Sequence, residues 1–514
     1  MPSTKNTQII RGISIALILL ALALGLAWVQ SGFTDLRGWA SFGALLLLSS
    51  ALLWGGWRAI SSEGPARWLG GLMIGAALLR LALGIFWLLA LPAWGNDNPV
   101  TMAGYIMADA YTRDTDAWLL AQSGEPLWQA FRGYSPGDQY GGLLFLSSLI
   151  YRFLGAGIHQ PLLMIVLTSA VSALAVPFTW AAAQRLWGNK ASRLAAWLIT
   201  LYPEAVLLGS SQMREAFMIP LAMFVLWNIV RAHQTKQRRY LIWSLLALLA
   251  SLPLSLPFAG ALLVLTIITL LALNNWKLLK KPLAWAAIGG LLLVAAALVI
   301  YLPEFHEWWL DSAKQQAYIS LHASGWVARL FEHMPQWSRI PFLVGYGAFR
   351  PLLPAALVAD GLPIWRGIAI WRAVGWTALL ALVIYASYLA LRHSQWKGVI
   401  GGLLLVVWTF ILIASFRGGG DMWDNPRYRA AFSGVQVSLA AWALALQQRD
   451  ADPWLRRLIG ATAMMVLWFV AWYLRRYTPI ATNIVEIWQI VGLGLASGAL
   501  YAIWDWVRTK HSQD

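Results

Sequence analysis

"GGLLFLSSLIYRFLG", residues 141–155, decides how this chain is arranged. The stretch is apolar but only about fifteen residues long, whereas a helix needs about twenty to cross the ~30 Å hydrocarbon core of a bilayer. If it crossed, "RLWGNKASR" (185–193) and every later loop would change sides. If it lies at the surface as an interfacial or re-entrant helix, the strongly basic short loops all fall on one side.

The surrounding sequence explains why sides matter. The chain has 514 residues, of which 59% are hydrophobic and 12% charged; a charged content of about a quarter is usual for soluble domains. Apolar runs of about twenty residues recur from end to end, and 33 Trp suit a protein with many headgroup-level positions. We expect an all-α polytopic membrane protein with about fourteen transmembrane helices and interfacial helices in its first large outer loop. The spans fall near 11–30, 38–58, 67–91, 160–184, 191–208, 212–231, 239–256, 258–274, 282–302, 367–391, 396–416, 428–447, 456–474 and 483–506. The run 13–29 follows Lys5 and Arg11 as a signal peptide would, but it is long and is read as the first span.

The net charge of +16 does not call for nucleic acid. The Lys and Arg sit in short loops, such as Arg185/Lys190/Arg193 and Arg231/Lys236/Arg238/Arg239, and the positive-inside rule makes those loops and both termini cytoplasmic. The outer side then holds large loops at 92–159 and 303–366 and a short one at 417–427. With no Cys, disulfides and thiolate metal sites are excluded. Glu63, Asp450, Asp452, Asp505 and Asp514 are cytoplasmic; the other acids lie outside or at the outer ends of spans.

Three outer constellations could carry chemistry. The first is "MADAYTRDTDAWLLAQSGEP" (107–126), with Asp109, Asp114 and Asp116. A helix over 114–123 would put Trp118 and Ala121 on the face of Asp114 and place Asp114 at a helix N-terminus, where an N-cap acid is the plainer explanation. A carboxylate there could also take a proton from an acceptor hydroxyl, and a pair could hold a divalent cation such as Mg or Mn. If a metal binds, Asp114 and Asp116 are its expected ligands. The second is "YPEAVLLGSSQMREAFMIP" (202–220), with Glu204, Arg214 and Glu215 at the membrane boundary. Arg214 could bind a phosphate, or an Arg–Glu pair could simply close a helix end. The third is "RGGGDMWDNPRYRAAF" (417–432), where Asp424, Arg427, Tyr428 and Arg429 stand at the start of a span. A helix N-terminus with two Arg suits an anion. Arg350, in "FLVGYGAFRPLLP" (342–354), could gate a site, and Arg80 lies mid-span. "GLGLASG" (492–498) is read as helix packing rather than a nucleotide loop.

In this order the residues resemble the GT-C superfamily of integral membrane glycosyltransferases, in particular the protein mannosyltransferase and aminoarabinose transferase relatives of glycosyltransferase family 39. The resemblance runs over residues 67–447. It rests on Asp114 with Trp118 and Ala121, on "SPGDQYGGLLFLSSLIYRFLG" (135–155), on "AAAQRLWGNKASRLAAWLITLYPEAVLLGSSQMREA" (181–216), and on "NPRYRAAFSGVQVSLAAWAL" (425–444). It implies a GT-C-like core at 67–447, two extra N-terminal helices at 1–66 and further helices at 448–514.

It also implies a sugar moved from a polyprenyl-phosphate-linked donor to a lipid, glycan or protein acceptor on the extracytoplasmic face of the cell membrane. Asp114 would be the base, with Asp116 or Asp109 as the alternative. Arg214, Arg427 and Arg429 would face the donor phosphate, with Tyr428, Asp424, Glu215 and Arg350 lining the substrate site. The rival readings are a lipid-linked oligosaccharide flippase or other transporter, a polysaccharide polymerase or ligase, and a structural membrane subunit. A transporter should carry internal repeats and midplane charges, and only Arg80 is mid-span.

Overall fold

The computed structural model describes residues 4–32, 37–132, 138–155, 157–282, 285, 289–290, 303–322, 325–358, 360–418, 427–477 and 486–511. Most of the expected span at 282–302, and both Asp421 and Asp424, lie outside the described residues. Among the described residues every regular element is helical. The chain is an all-α polytopic membrane protein. Nine described helices are long and apolar enough to cross a bilayer, judged by length and composition.

Those nine account for most of the expected segments, and one of them contains two. Pro161–Leu201 is two consecutive helices, Pro161–Ala173 and Ala175–Leu201, and Gly188 inside the second has φ +79° and ψ −171°, which is not helical. Ala183 and Ala195 nevertheless share one core cluster. An unbroken helix would hold them about 18 Å apart, so the chain folds back at Gly188. Ser192 Oγ accordingly donates to Gln184 Oε1 at 2.7 Å. Other expected spans are shorter than anticipated: Arg239–Ser251 has 13 residues and Ser433–Asp450 has 18.

The chain divides into two compact units. The first comprises residues 1–181, 205–224 and 246–259. In it, Arg37–Ala59 packs on Thr4–Ser31 and on Pro161–Ala173, and Arg67–Trp94 packs on Pro161–Ala173 as well. Pro161–Ala173 is apolar all round and buried at nearly every residue, as expected of a helix enclosed by others. By contrast, Leu47, Trp54, Leu89 and Trp94 are exposed, as lipid-facing side chains of a membrane protein should be.

The deciding stretch forms Gly142–Leu154, a helix of 13 residues. At 1.5 Å per residue it spans about 20 Å, too little to cross. It packs on Ala108–Gln122 and on the short Leu127–Phe131 turn. Its ends are fixed chemically. Asp138 accepts from Leu144 N at 2.9 Å in its first turn, where an anion is favoured. Arg152, near its other end, donates to the carbonyls of Leu120 (2.6 Å) and Ala121 (3.1 Å), which are the open C-terminal carbonyls of Ala108–Gln122. Gly141 enters the helix with φ +74°, and a Cβ there would strike the Ala130 carbonyl.

The second unit comprises residues 182–204, 225–245 and 260–514. Pro363–Arg392 packs on Ser433–Asp450, and Gln336–Phe349 packs on Val399–Gly418. Trp454–Tyr477 pairs with Ile487–His511 and also meets Leu353–Val358. Gly494 and Gly498 face Met465 and Ala461, so "GLGLASG" is indeed a helix-packing surface.

Candidate active site

The first unit gathers its polar residues around Asp114. The helix that carries it is Ala108–Gln122, which begins six residues earlier than the expected 114–123. Asp109, not Asp114, occupies its first turn, so the helix N-terminus is not what stabilises Asp114. Asp114 and Trp118 do share a face, as their spacing requires.

Asp114 is 1% exposed. A carboxylate so deeply buried needs hydrogen-bond donors, and it has three. Tyr151 Oη donates to Oδ1 at 2.5 Å, Tyr105 Oη donates to Oδ2 at 2.5 Å, and His159 Nε2 lies 2.7 Å from Oδ2. Trp118 stacks on the His159 ring with centroids 5.4 Å apart, and the Tyr151 ring meets both edge-on. Tyr105 and Tyr151 lie outside the membrane-spanning segments. Burial first, and the Asp114 charge next, push both phenols well above their ordinary pKa, so both remain protonated donors.

The opposite face of the helix carries Asp109, Arg113 and Asp116. Arg113 is 2% exposed and donates through Nη2 to the Gln212 carbonyl. Burial lowers its pKa, while Asp138, Glu215 and Asp114 oppose that and Arg214 adds to it. Asp116 Oδ2 is buried with no hydrogen-bond partner among the described residues. Asp109 is half-exposed.

Arg214 does not close a helix end with a neighbouring Glu. Its Nη1 stands 3.7 Å from Asp138 Oδ1, and its guanidinium lies over the Tyr140 ring. Glu215, buried beside this pair in sequence, is within Coulombic range of Arg113. Glu204 instead pairs with Arg372 in the second unit, through a two-pronged contact of 2.9 and 3.2 Å.

Sequence reasoning missed Tyr105, Tyr151, His159, Asp138 and Arg113. Asp138 and Tyr151 stood inside quoted stretches with nothing periodic to mark them. His159 is one isolated residue ahead of Pro161, with no metal or triad spacing around it.

The donor set does not suit a divalent cation. Proton donors cover both oxygens of Asp114. Among the described residues no group of three or more His, Cys, Asp and Glu is placed to hold a metal ion. Asp116, the other ligand expected if a metal binds, lies on the opposite face of the Ala108–Gln122 helix from Asp114.

In the second unit Arg429 is 3% exposed and stacks its guanidinium over Trp376, 3.5 Å from the ring centroid. Its Nη2 donates to the Arg350 carbonyl at 2.5 Å, and Tyr202 is within hydrogen-bonding reach. Arg427 is also buried, and it lies over its neighbour Tyr428. The Arg350 guanidinium lies over Tyr346. Tyr346 and Phe349 in turn line an apolar cavity of about 680 Å³, whose far walls include Met465, Phe469 and Trp488. The Arg429 side chain thus meets the Arg350 backbone, beside a chamber that the sequence reading did not foresee. Asp424 lies outside the described residues.

With the fold and this geometry in place, residues 143–301 match the family profile of dolichyl-phosphate-mannose-protein mannosyltransferases. The match covers less than a third of the chain and is consistent with the sequence resemblance to the GT-C superfamily of membrane glycosyltransferases. Two solved structures that align with the chain are from Archaeoglobus fulgidus. One is its oligosaccharyltransferase AglB in complex with an inhibitory peptide and a dolichol-phosphate. It is 14% identical, with a TM-score of 0.38, and the match covers 85% of this chain and 55% of that one. The other is the oligosaccharyltransferase tethered to an acceptor peptide containing the NVT sequon. It is 13% identical, with a TM-score of 0.41, and the match covers 85% and 56%. The chain thus spans about half the length of the solved structures it matches. No curated protein matches it.

Proposed function

We propose that this protein moves a sugar from a polyprenyl-phosphate-linked donor to a hydroxyl or amide of a lipid, glycan or protein acceptor, on the extracytoplasmic face. The observation that carries the reading is the family match across residues 143–301, which begins inside the helix that covers Asp114. Within the first unit, the Asp114 cluster, with Asp116 and Asp109 on the other helix face, supplies the proton acceptor. Arg214 and Glu215 belong to the same polar cluster. Within the second unit, Arg350, Arg427, Tyr428 and Arg429 hold the donor phosphate, and the apolar chamber beside Tyr346 takes prenyl chain.

The chemistry suits these groups. The acceptor atom attacks the anomeric carbon, the bond to the phosphate oxygen breaks, and the acceptor proton passes to a base. The leaving phosphate gains negative charge, which fixed guanidinium groups stabilise without reorganising. Arg is better suited than Lys, because its planar fork binds two phosphate oxygens at once.

The test is transfer of label from radiolabelled dolichyl-phosphate mannose, and from other polyprenyl-phosphate sugars, by the purified full chain mixed with a membrane extract. Transfer is expected with at least one donor, and Arg429→Ala should lower it by weakening donor binding. Absence of transfer from every donor, with tight donor uptake into vesicles instead, would establish the flippase reading.

A further inference from the structure

We infer that His159 is the group that takes the acceptor's proton, and that Asp114 is a positioning residue that holds it. The inference rests on the transferase reading and deepens it.

Asp114 itself is poorly placed to meet a substrate. It is 1% exposed, and the two Tyr hydroxyls and the imidazole already surround its oxygens. An acceptor hydroxyl would have to displace one of these short hydrogen bonds to reach it. The His159 side chain, by contrast, is 30% exposed.

The tautomer follows from the network. An ionised carboxylate only accepts hydrogen bonds. Nε2, at 2.7 Å from Oδ2, must therefore carry the proton, which leaves Nδ1 with its lone pair. Among the described residues Nδ1 takes part in no hydrogen bond. The ring cannot turn freely, because Trp118 stacks on one face and Tyr151 abuts it edge-on. A buried carboxylate that fixes the tautomer of a clamped imidazole, with the second nitrogen open, is the arrangement of a general base. The two Tyr donors keep Asp114 hydrogen-bonded on both oxygens while His159 gains its proton, and the carboxylate then faces the imidazolium.

The step balances. The acceptor oxygen forms a bond to the anomeric carbon and loses its proton to His159 Nδ1. The carbon–oxygen bond to the carrier phosphate breaks, and its electron pair stays on the phosphate.

The experiment compares wild type, His159→Ala, His159→Gln and Asp114→Asn in the labelled dolichyl-phosphate mannose assay, with donor binding measured in parallel. His159→Ala should cut kcat by about 100-fold or more while donor affinity holds, and added imidazole should restore part of the rate. His159→Gln, which fills the space, should be equally slow and not be rescued. Asp114→Asn should lower kcat with little change in KM. Transfer by His159→Ala within about threefold of wild type would overturn the inference, as would lost transfer that imidazole does not restore while donor binding is intact. No transfer by wild type would overturn the transferase reading itself, and this inference with it.

Discussion

Asp114 stands out in the sequence because acids are scarce in a chain with only 22 of them. What the sequence hides is what surrounds it. Its donors come from a loop, an interfacial helix and the approach to a span, at Tyr105, Tyr151 and His159, and no periodic pattern links those positions. Tyr105→Phe removes one donor to a buried charge and should cost about 1.5–3 kcal/mol, read as a lower thermal midpoint in detergent. The phenols also give a pH signature. Their folded pKa values lie above the ordinary Tyr value near 10. Above that pH the unfolded chain holds fewer protons than the folded one, so stability is intact below pH 10 and falls as pH rises beyond it. Midpoints measured from pH 8 to 11 should show this fall, and a shallower fall in Tyr105→Phe. A flat profile in wild type would mean that the phenols do not donate to a buried carboxylate.

At the scale of elements, hydrophobic run length was a partial guide, since the expected span at 239–256 forms a helix of only 13 residues, Arg239–Ser251. It predicted that residues 141–155 would not cross, and they form a helix of 13 residues pinned to Ala108–Gln122 by Arg152. It also separated two spans within 160–208, and the break at Gly188 bears that out. The expected helix start at Asp114 was wrong, because "ADAYTR" continues the helix upstream with no breaker. Run length carries no information about such polar helix ends. Gly188→Ala forces an L side chain into a backbone region that glycine alone visits easily, at a cost of about 1–3 kcal/mol. The predicted readout is a lower thermal midpoint with the spectroscopic helix content unchanged. A midpoint equal to wild type would show that the turn tolerates another conformation.

At the scale of the molecule, composition together with apolar runs of about twenty residues made the fold class legible, because such runs are long enough to cross a bilayer as helices. The apolar cavity in the second unit was not legible, since its walls are drawn from helices far apart in sequence and each wall is unremarkable in a membrane span. Sidedness can be tested without removing any native thiol, because the chain has no Cys. Gln122→Cys and Ile158→Cys flank Gly142–Leu154 and should react with an impermeant maleimide from the same, outer side of sealed vesicles. Lys236→Cys should react only from the opposite side. Labelling of Gln122→Cys and Ile158→Cys from opposite sides would show that the short helix crosses.

The central claim is that the buried carboxylate of the first unit serves sugar transfer from a lipid phosphate. The direct measurement is the single-turnover rate of label transfer from dolichyl-phosphate mannose, or from whichever polyprenyl-phosphate sugar wild type accepts, by wild type and Asp114→Asn at matched folded concentration. The account predicts a rate at least about 100-fold lower in the variant, with the donor still bound. Equal rates in the two proteins would contradict it.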